Sequence, residues 1–255
     1  TTNTAGGTTN IAIGNYALDA LTSGDSNVGV GDNALSALAT GGANTAIGHE
    51  ALSSMTGSNS TAIGWKAGAS ITANDNTCVG VQAGHYGVAI VGGTKNVIIG
   101  AYTHTSAADS VAQFVVGYDV VGNADNSFCF GNAGTDSAIA YGATSISAPS
   151  DIRLKENISD DVAGLSFIND LRPVTYEWKK EKDIPEEMRT HVAGSEKRYN
   201  NDKLNHGFIA QEVKEVIDNH PEIKDGFKMW LEDETDGRQR IAEGALVPML
   251  VKSVQ

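Results

Sequence analysis

Asn44-Thr45-Ala46-Ile47-Gly48 returns along the chain with small changes. Asn10-Ile-Ala-Ile-Gly14 and Asn27-Val-Gly-Val-Gly31 precede it, and Ser60-Thr-Ala-Ile-Gly64, Asn76-Thr-Cys-Val-Gly80 and Asn96-Val-Ile-Ile-Gly100 follow. Two weaker copies, Gln113-Phe-Val-Val-Gly117 and Ser127-Phe-Cys-Phe-Gly131, complete the series. The closing glycines are spaced by 17, 17, 16, 16, 20, 17 and 14 residues, which is the period of a solenoid. Within each copy a bulky residue stands before the glycine: Ile13, Val30, Ile47, Ile63, Val79, Ile99, Val116, Phe130. The residue before that is usually small: Ala12, Gly29, Ala46, Ala62, Cys78. Side chains of a strand alternate between faces, so the pattern predicts a short strand with one bulky face and one small face able to approach another backbone. The repeated glycine supplies the corner, where a Cβ would clash.

After the early strands come Ala17-Leu18-x-x-Leu21, Ala34-Leu35-x-x-Leu38 and Ala51-Leu52-x-x-Met55. The three-residue spacing predicts one helical turn, with a second short strand as the alternative. Glycine turns such as Ser23-Gly24 and Gly41-Gly42 close each coil. One rung buries little by itself, so stability must come from stacking. Two apolar faces and almost no charge leave one face of a single coil bare, which predicts oligomerisation. Asn10, Asn27 and Asn44 read as a ladder or as turn caps rather than as calcium or glycan ligands. Trp65, Tyr86, Tyr102, Tyr118 and Tyr141 are candidates for stacking on sugar, provided they are exposed.

Composition breaks near Pro149. Residues 1–149 hold 9 acids, 2 bases (Lys66 and Lys95) and 23 of the 29 glycines. Residues 150–255 hold 22 acids, 16 bases and four of the five prolines. The break predicts two domains, 1–149 and 150–255. A net charge of −13 argues against nucleic acid and against an anionic membrane surface. No apolar run approaches about 18 residues and no charged-then-apolar leader opens the chain, so a soluble protein without membrane insertion is expected. Thr1 in place of Met reads as the start of a piece of something longer. Cys78 and Cys129 stand far apart and form no cluster with the six histidines, so two buried free thiols, no metal and no cofactor are expected.

The second part opens Pro149-Ser150-Asp151-Ile152-Arg153-Leu154-Lys155-Glu156-Asn157-Ile158. Chemically, Ser150 and Lys155 offer a hydroxyl nucleophile and an amine base, provided partial burial keeps the amine neutral. Asp151 suits capping of the segment that follows, and Arg153 suits pairing with an acid. Val162 to Leu171 carries helical spacing that ends before Arg172-Pro173, and Val174 to Trp178 alternates as a strand. Lys179 to Asn205 is polar and reads as a long mobile insertion. His206 lies in a strand entering a helix over Ala210 to Asn219, a structural rather than catalytic setting. Glu243 to Gln255 begins a third helix.

The repeats resemble the heads of trimeric autotransporter adhesins and related repeats of phage fibres, over roughly residues 10–131. That resemblance implies a mainly β fold, a left-handed parallel β-roll of three chains. The run Ser-Asp-x-Arg-x-Lys-x-Asn-Ile at 150–158 resembles the start of the intramolecular chaperone of phage endosialidases, tailspikes and tail fibres. Leu165 to Trp178, His206-Gly207-Phe208-Ile209-Ala210-Gln211-Glu212-Val213 and Leu246-Val247-Pro248-Met249-Leu250-Val251 extend the likeness over most of 150–255. It implies a smaller α+β chaperone domain with a C-terminal helix, which templates homotrimer assembly and then cuts itself off between Pro149 and Ser150. In that scheme Ser150 is the nucleophile and Lys155 the base, with Asp151, Arg153 and Asn157 in support. The expected setting is a virion tail assembled in host cytoplasm, binding a cell-surface receptor or glycan. A bacterial trimeric adhesin with an uncleaved folding domain is the alternative. Residues 1–149 carry no paired carboxylates for glycan hydrolysis, and no Gly-x-Ser-x-Gly elbow points to a peptidase acting on other proteins.

Overall fold

The computed structural model describes residues 7–133, 135–143, 146, 150–224, 227–233 and 237–255. Its contacts divide the chain into two compact units, Thr1–Leu154 and Lys155–Gln255.

The first unit is a β-solenoid of about seven turns. Eight strands stack in order and in parallel: β1 Ile11–Ile13, β2 Val28–Val30, β3 Thr45–Ile47, β4 Thr61–Ile63, β5 Thr77–Val79, β6 Val97–Ile99, β7 Gln113–Tyr118 and β8 Ser127–Asn132. The register joins like to like, with Ala46 beside Ala62 and Ile47 beside Ile63. β9, Thr135–Ala140, folds back antiparallel on β8. No sequence period announced β9, and it covers the hydrogen-bonding edge that the last parallel strand would expose.

The small column faces inward. Ala46, Ala62, Cys78, Ile98, Val115 and Cys129 are fully buried beside Leu35, Leu38, Leu52 and Met55. The interior is thin, so volumes trade across it. A Cβ on Gly29 would stand 3.2 Å from Leu18 Cγ, whereas Gly84, standing where earlier coils have leucine, leaves room for Cys78. The bulky column faces outward: Ile13 is 61 % exposed, and Ile47 and Ile63 are 40 % exposed.

The expected helical turn after each strand is absent. Leu18, Leu35 and Leu52 adopt φ of 54°, 54° and 50°, in the left-handed region that disfavours helix continuation. Their N–H groups point to the next coil instead, Leu18 to Ala34 O at 3.1 Å and Leu52 to Ala67 O at 3.0 Å. Hydrogen bonds between coils offset the backbone strain. At the corner, a Cβ on Gly31 would lie 2.5 Å from the carbonyl oxygen of Gly48, so only glycine fits.

Asparagine forms the buried spine. Asn27 Nδ2 donates to Asn10 Oδ1 at 3.1 Å and to Gly41 O at 3.0 Å, while Asn27 Oδ1 accepts from the backbone N–H of Asn44 at 3.0 Å. Asn44 Oδ1 accepts from Ser60 N–H, Ser60 Oγ from Asn76 N–H, and Asn76 Oδ1 from Asn96 N–H. These are ladder contacts and leave no carboxamide over for a ligand. Cys78 and Cys129 are free and buried, and burial pushes the Cys78 thiol up to about 12.

The second unit is mixed α and β. Its elements are α1 Leu165–Asp170, β10 Val174–Tyr176, β11 Asn205–Gly207, α2 Ala210–Asp218, α3 Pro221–Lys224, β12 Trp230–Glu232, β13 Gln239–Ile241 and α4 Val247–Val254. β10 pairs antiparallel with β11, and β12 with β13. Phe167, Val213, Ile217, Met229, Leu246 and Met249 form the core, with α1 packed on α4. The 179–205 stretch departs from the mobile loop expected from its polarity. The Lys180 and Arg198 backbones form an isolated antiparallel β-bridge, Lys180 Nζ lies 2.5 Å from Glu196, and Arg198 pairs with Glu177 at 3.0 Å. Charged partners, rather than a core, give it shape. The β12–β13 hairpin was not foreseen at all, because its strands are three residues long and show no alternation.

Candidate functional site

Ser150 to Val162 is exposed without interruption. Ser150 stands in the first unit and Lys155 opens the second. Between them Ile152–Leu154 forms one 3-10 turn. Asp151 builds that turn: its carboxylate accepts the Arg153 backbone N–H at 2.8 Å, its carbonyl accepts from Leu154 N–H at 3.0 Å, and its side chain takes a forked ion pair from Arg153 Nε and Nη2, the latter at 2.6 Å. The guanidinium holds the Asp151 carboxyl below the usual carboxylate range, and Asp151 raises Arg153 in return. Asp151 and Arg153 are therefore occupied with each other. Asn157 turns the chain at φ 55°, a conformation asparagine tolerates better than most residues.

The structure places Ser150, Asp151, Arg153, Lys155 and Asn157 on one short exposed stretch, while Pro149 lies outside the described residues. Lys155 and its neighbours are exposed. The same stretch carries Ile152 and Leu154, each 71 % exposed, with Ile158 and Val162 also open to solvent.

His206 lies on β11 opposite Thr175 and lines a cavity of about 500 Å³ with Pro173, Phe208 and Glu243. His220, which sequence reading passed over, is the most constrained histidine of this unit. Its two nitrogens meet Asp170 and Glu222, and the 50 residues separating it from Asp170 hide the grouping from any local motif. Of the aromatic candidates in the solenoid, Trp65, Tyr86, Tyr118 and Tyr141 are exposed; Tyr102 is half-buried, edge-on to Tyr86 and Tyr118 at 5.1 and 5.8 Å. Among the described residues no group of three or more metal-ligating side chains occurs, and no helix is long and apolar enough to cross a membrane.

Residues 150–220 match the model of the family described as chaperone of endosialidase. The fit begins at Ser150 and ends at His220, so the Leu246 to Val251 block lies beyond it. No curated protein and no solved structure matches the chain. A segment similar to the chaperone-of-endosialidase family thus follows the β-solenoid in this chain.

Proposed function

We propose that the chain is the distal part of a phage tail fibre or tailspike, whose last unit templates a homotrimer and then cuts itself off before Ser150. The observation that carries this reading is the family match, which starts at Ser150 immediately downstream of a solenoid with an uncovered apolar sheet face. A second feature supports the assembly. On α4, Met249 is buried while Val247, Leu250, Val251 and Val254 are exposed, a stripe at the three- and four-residue spacing of a helix seam. Three copies would cover it.

In the proposed reaction, Ser150 Oγ attacks the carbonyl carbon of Pro149 while its proton passes to Lys155 Nζ. The five-membered intermediate collapses by breaking the bond from that carbon to Ser150 N, which takes the proton back from the lysine. An ester then joins the Pro149 acyl group to Ser150 Oγ. Water opens the ester, leaving a Pro149 carboxylate and a new amino terminus at Ser150. Assembly supplies the cover that the single chain lacks, by closing over Ile152 and Leu154. Cleavage thereby waits for the trimer and makes its formation irreversible. The mature solenoid stays with the virion tail and presents its surface to a host receptor or glycan, while the chaperone unit leaves.

Intact mass and native mass spectrometry on wild type, Ser150→Ala and Lys155→Ala test the reading together. Wild type is expected to yield trimeric fragments divided between Pro149 and Ser150, with both variants whole yet trimeric. Uncleaved wild-type trimer would remove the autoprotease and leave the chaperone. A wild type that is whole and monomeric would remove both.

A further inference from the structure

His220 follows α2, where its backbone N–H caps Ile217 O at 3.1 Å. Its Nε2 lies 2.9 Å from Asp170 Oδ2 at the end of α1, and its Nδ1 lies 2.7 Å from Glu222 Oε1 on α3. A neutral imidazole has one N–H and one lone pair, so it can donate to only one carboxylate and must turn a lone pair on the other. Imidazolium donates to both. The helix terminus adds to this preference, because the end of α2 favours a cation. The ring stands edge-on to Phe167 at 5.3 Å, and Phe167 is fully buried against Phe227. The grouping therefore sits on the core of the unit, nine-tenths buried at the histidine.

We propose that His220 is a pH-operated clamp, which holds the end of α1 to the α2–α3 turn while protonated and releases it on losing its proton. The charges facing the ring are Asp170 from α1 and Glu222 from α3. The last acid of α2, Asp218, is engaged by Lys214 at 2.5 Å, and Lys228, the nearest base following α3 in the described chain, is exposed. His220 meets both carboxylates, 2.9 Å from Asp170 Oδ2 and 2.7 Å from Glu222 Oε1. Both carboxylates raise the imidazole above its ordinary value of 6.5, and His220 lowers Glu222 in return.

The sign follows from those directions. A raised histidine contributes stability that is fully present below its unfolded value and is lost as pH climbs through the folded one. A lowered glutamate contributes stability that is lost as pH falls through its own folded value. The clamp is thus closed below 6.5 and above the carboxylate range, and it opens as pH climbs through the raised folded value of His220. Opening frees α1, which packs on α4, so the effect reaches the helix that ends the chain.

The test uses the full chain. Deuterium exchange at the histidine Cε1–H, read residue by residue by mass spectrometry from pH 5 to 9, reports the titration of His220 directly. Amide exchange over residues 165–170 reports the clamp. We expect His220 in wild type to titrate above 6.5, and Asp170→Asn and Glu222→Gln each to bring it down. Amide exchange in α1, corrected for its intrinsic pH dependence, is expected to rise in wild type as pH climbs from 6 to 9 through the raised His220 value. In His220→Gln it is expected to stay flat. The proposal is overturned if His220 titrates at or below 6.5, or if wild type and His220→Gln follow the same profile. Should His220→Gln misfold, the titration in wild type and Asp170→Asn decides alone.

Discussion

The two units bury polar groups by opposite means. In the solenoid, Asn27 is satisfied by residues 14 and 17 positions away, and the same bond recurs at Asn44 and Asn96. In the second unit, the half-buried polar contacts are single events, such as His220 to Asp170 across 50 residues and Arg198 to the Trp178 carbonyl across 20. Repetition lets one good contact be reused at every coil. A small irregular domain must find each contact once. The solenoid should therefore fail coil by coil, whereas the chaperone unit should fail as a whole.

The largest expected effect comes from Gly31→Val. The new Cβ meets the Gly48 carbonyl at 2.5 Å, at a φ of 135° that valine does not accept. A loss of about 3–5 kcal/mol is expected, from strain and clash together. Amide exchange should show it confined to the neighbouring coils; uniform loss across both units would break the comparison. Phe167→Ala comes next, at about 3–4 kcal/mol for an emptied core position. Its effect should appear in the fluorescence of Trp178 and Trp230 while the solenoid stays protected.

Asn44→Ala is expected to cost about 2–3 kcal/mol, because it strands the buried Ser60 N–H and removes the donor to the Gly57 carbonyl. Replacing Ser60 by Asn, the residue at this place in the neighbouring coils, should be tolerated far better; comparing the two melts separates the ladder from simple packing. Glu196→Gln is expected to have the smallest effect. It removes the acid that Lys180 and Lys182 hold at a pKa of about 2, at a fully exposed position. Protease nicking within 179–205 should quicken without a shift in the unit's melting. Cys78 offers a sharper probe of the solenoid, since a buried thiol raised to about 12 should resist alkylation at pH 8 until its coil opens.

Much of the solenoid was legible because the same information is written eight times. The bulky and small columns, the glycine corners and the asparagine ladder all follow from alternation and period. The Leu18, Leu35 and Leu52 segments carry a spacing that fits a helical turn as well as a coil, and only neighbouring coils show where their N–H groups go. In the second unit, helices over Leu165–Asp170 and Ala210–Asp218 followed from apolar spacing and the prolines that bound them. The β12–β13 hairpin and the ordering of 179–205 did not, because short strands and ion pairs leave no periodic trace.

At the candidate site, sequence alone sets an upper bound on the Ser150–Lys155 separation, about 17 Å for five residues of extended chain. It also dictated the strand columns, whose order is a local consequence of side-chain alternation. Tertiary structure decided which column faces inward, since the width of the coil admits alanine or cysteine opposite leucine but no second large side chain. It likewise decided the meeting of His220 with Asp170 and Glu222, because contacts across 50 residues depend on how helices pack and on no pattern within any one of them.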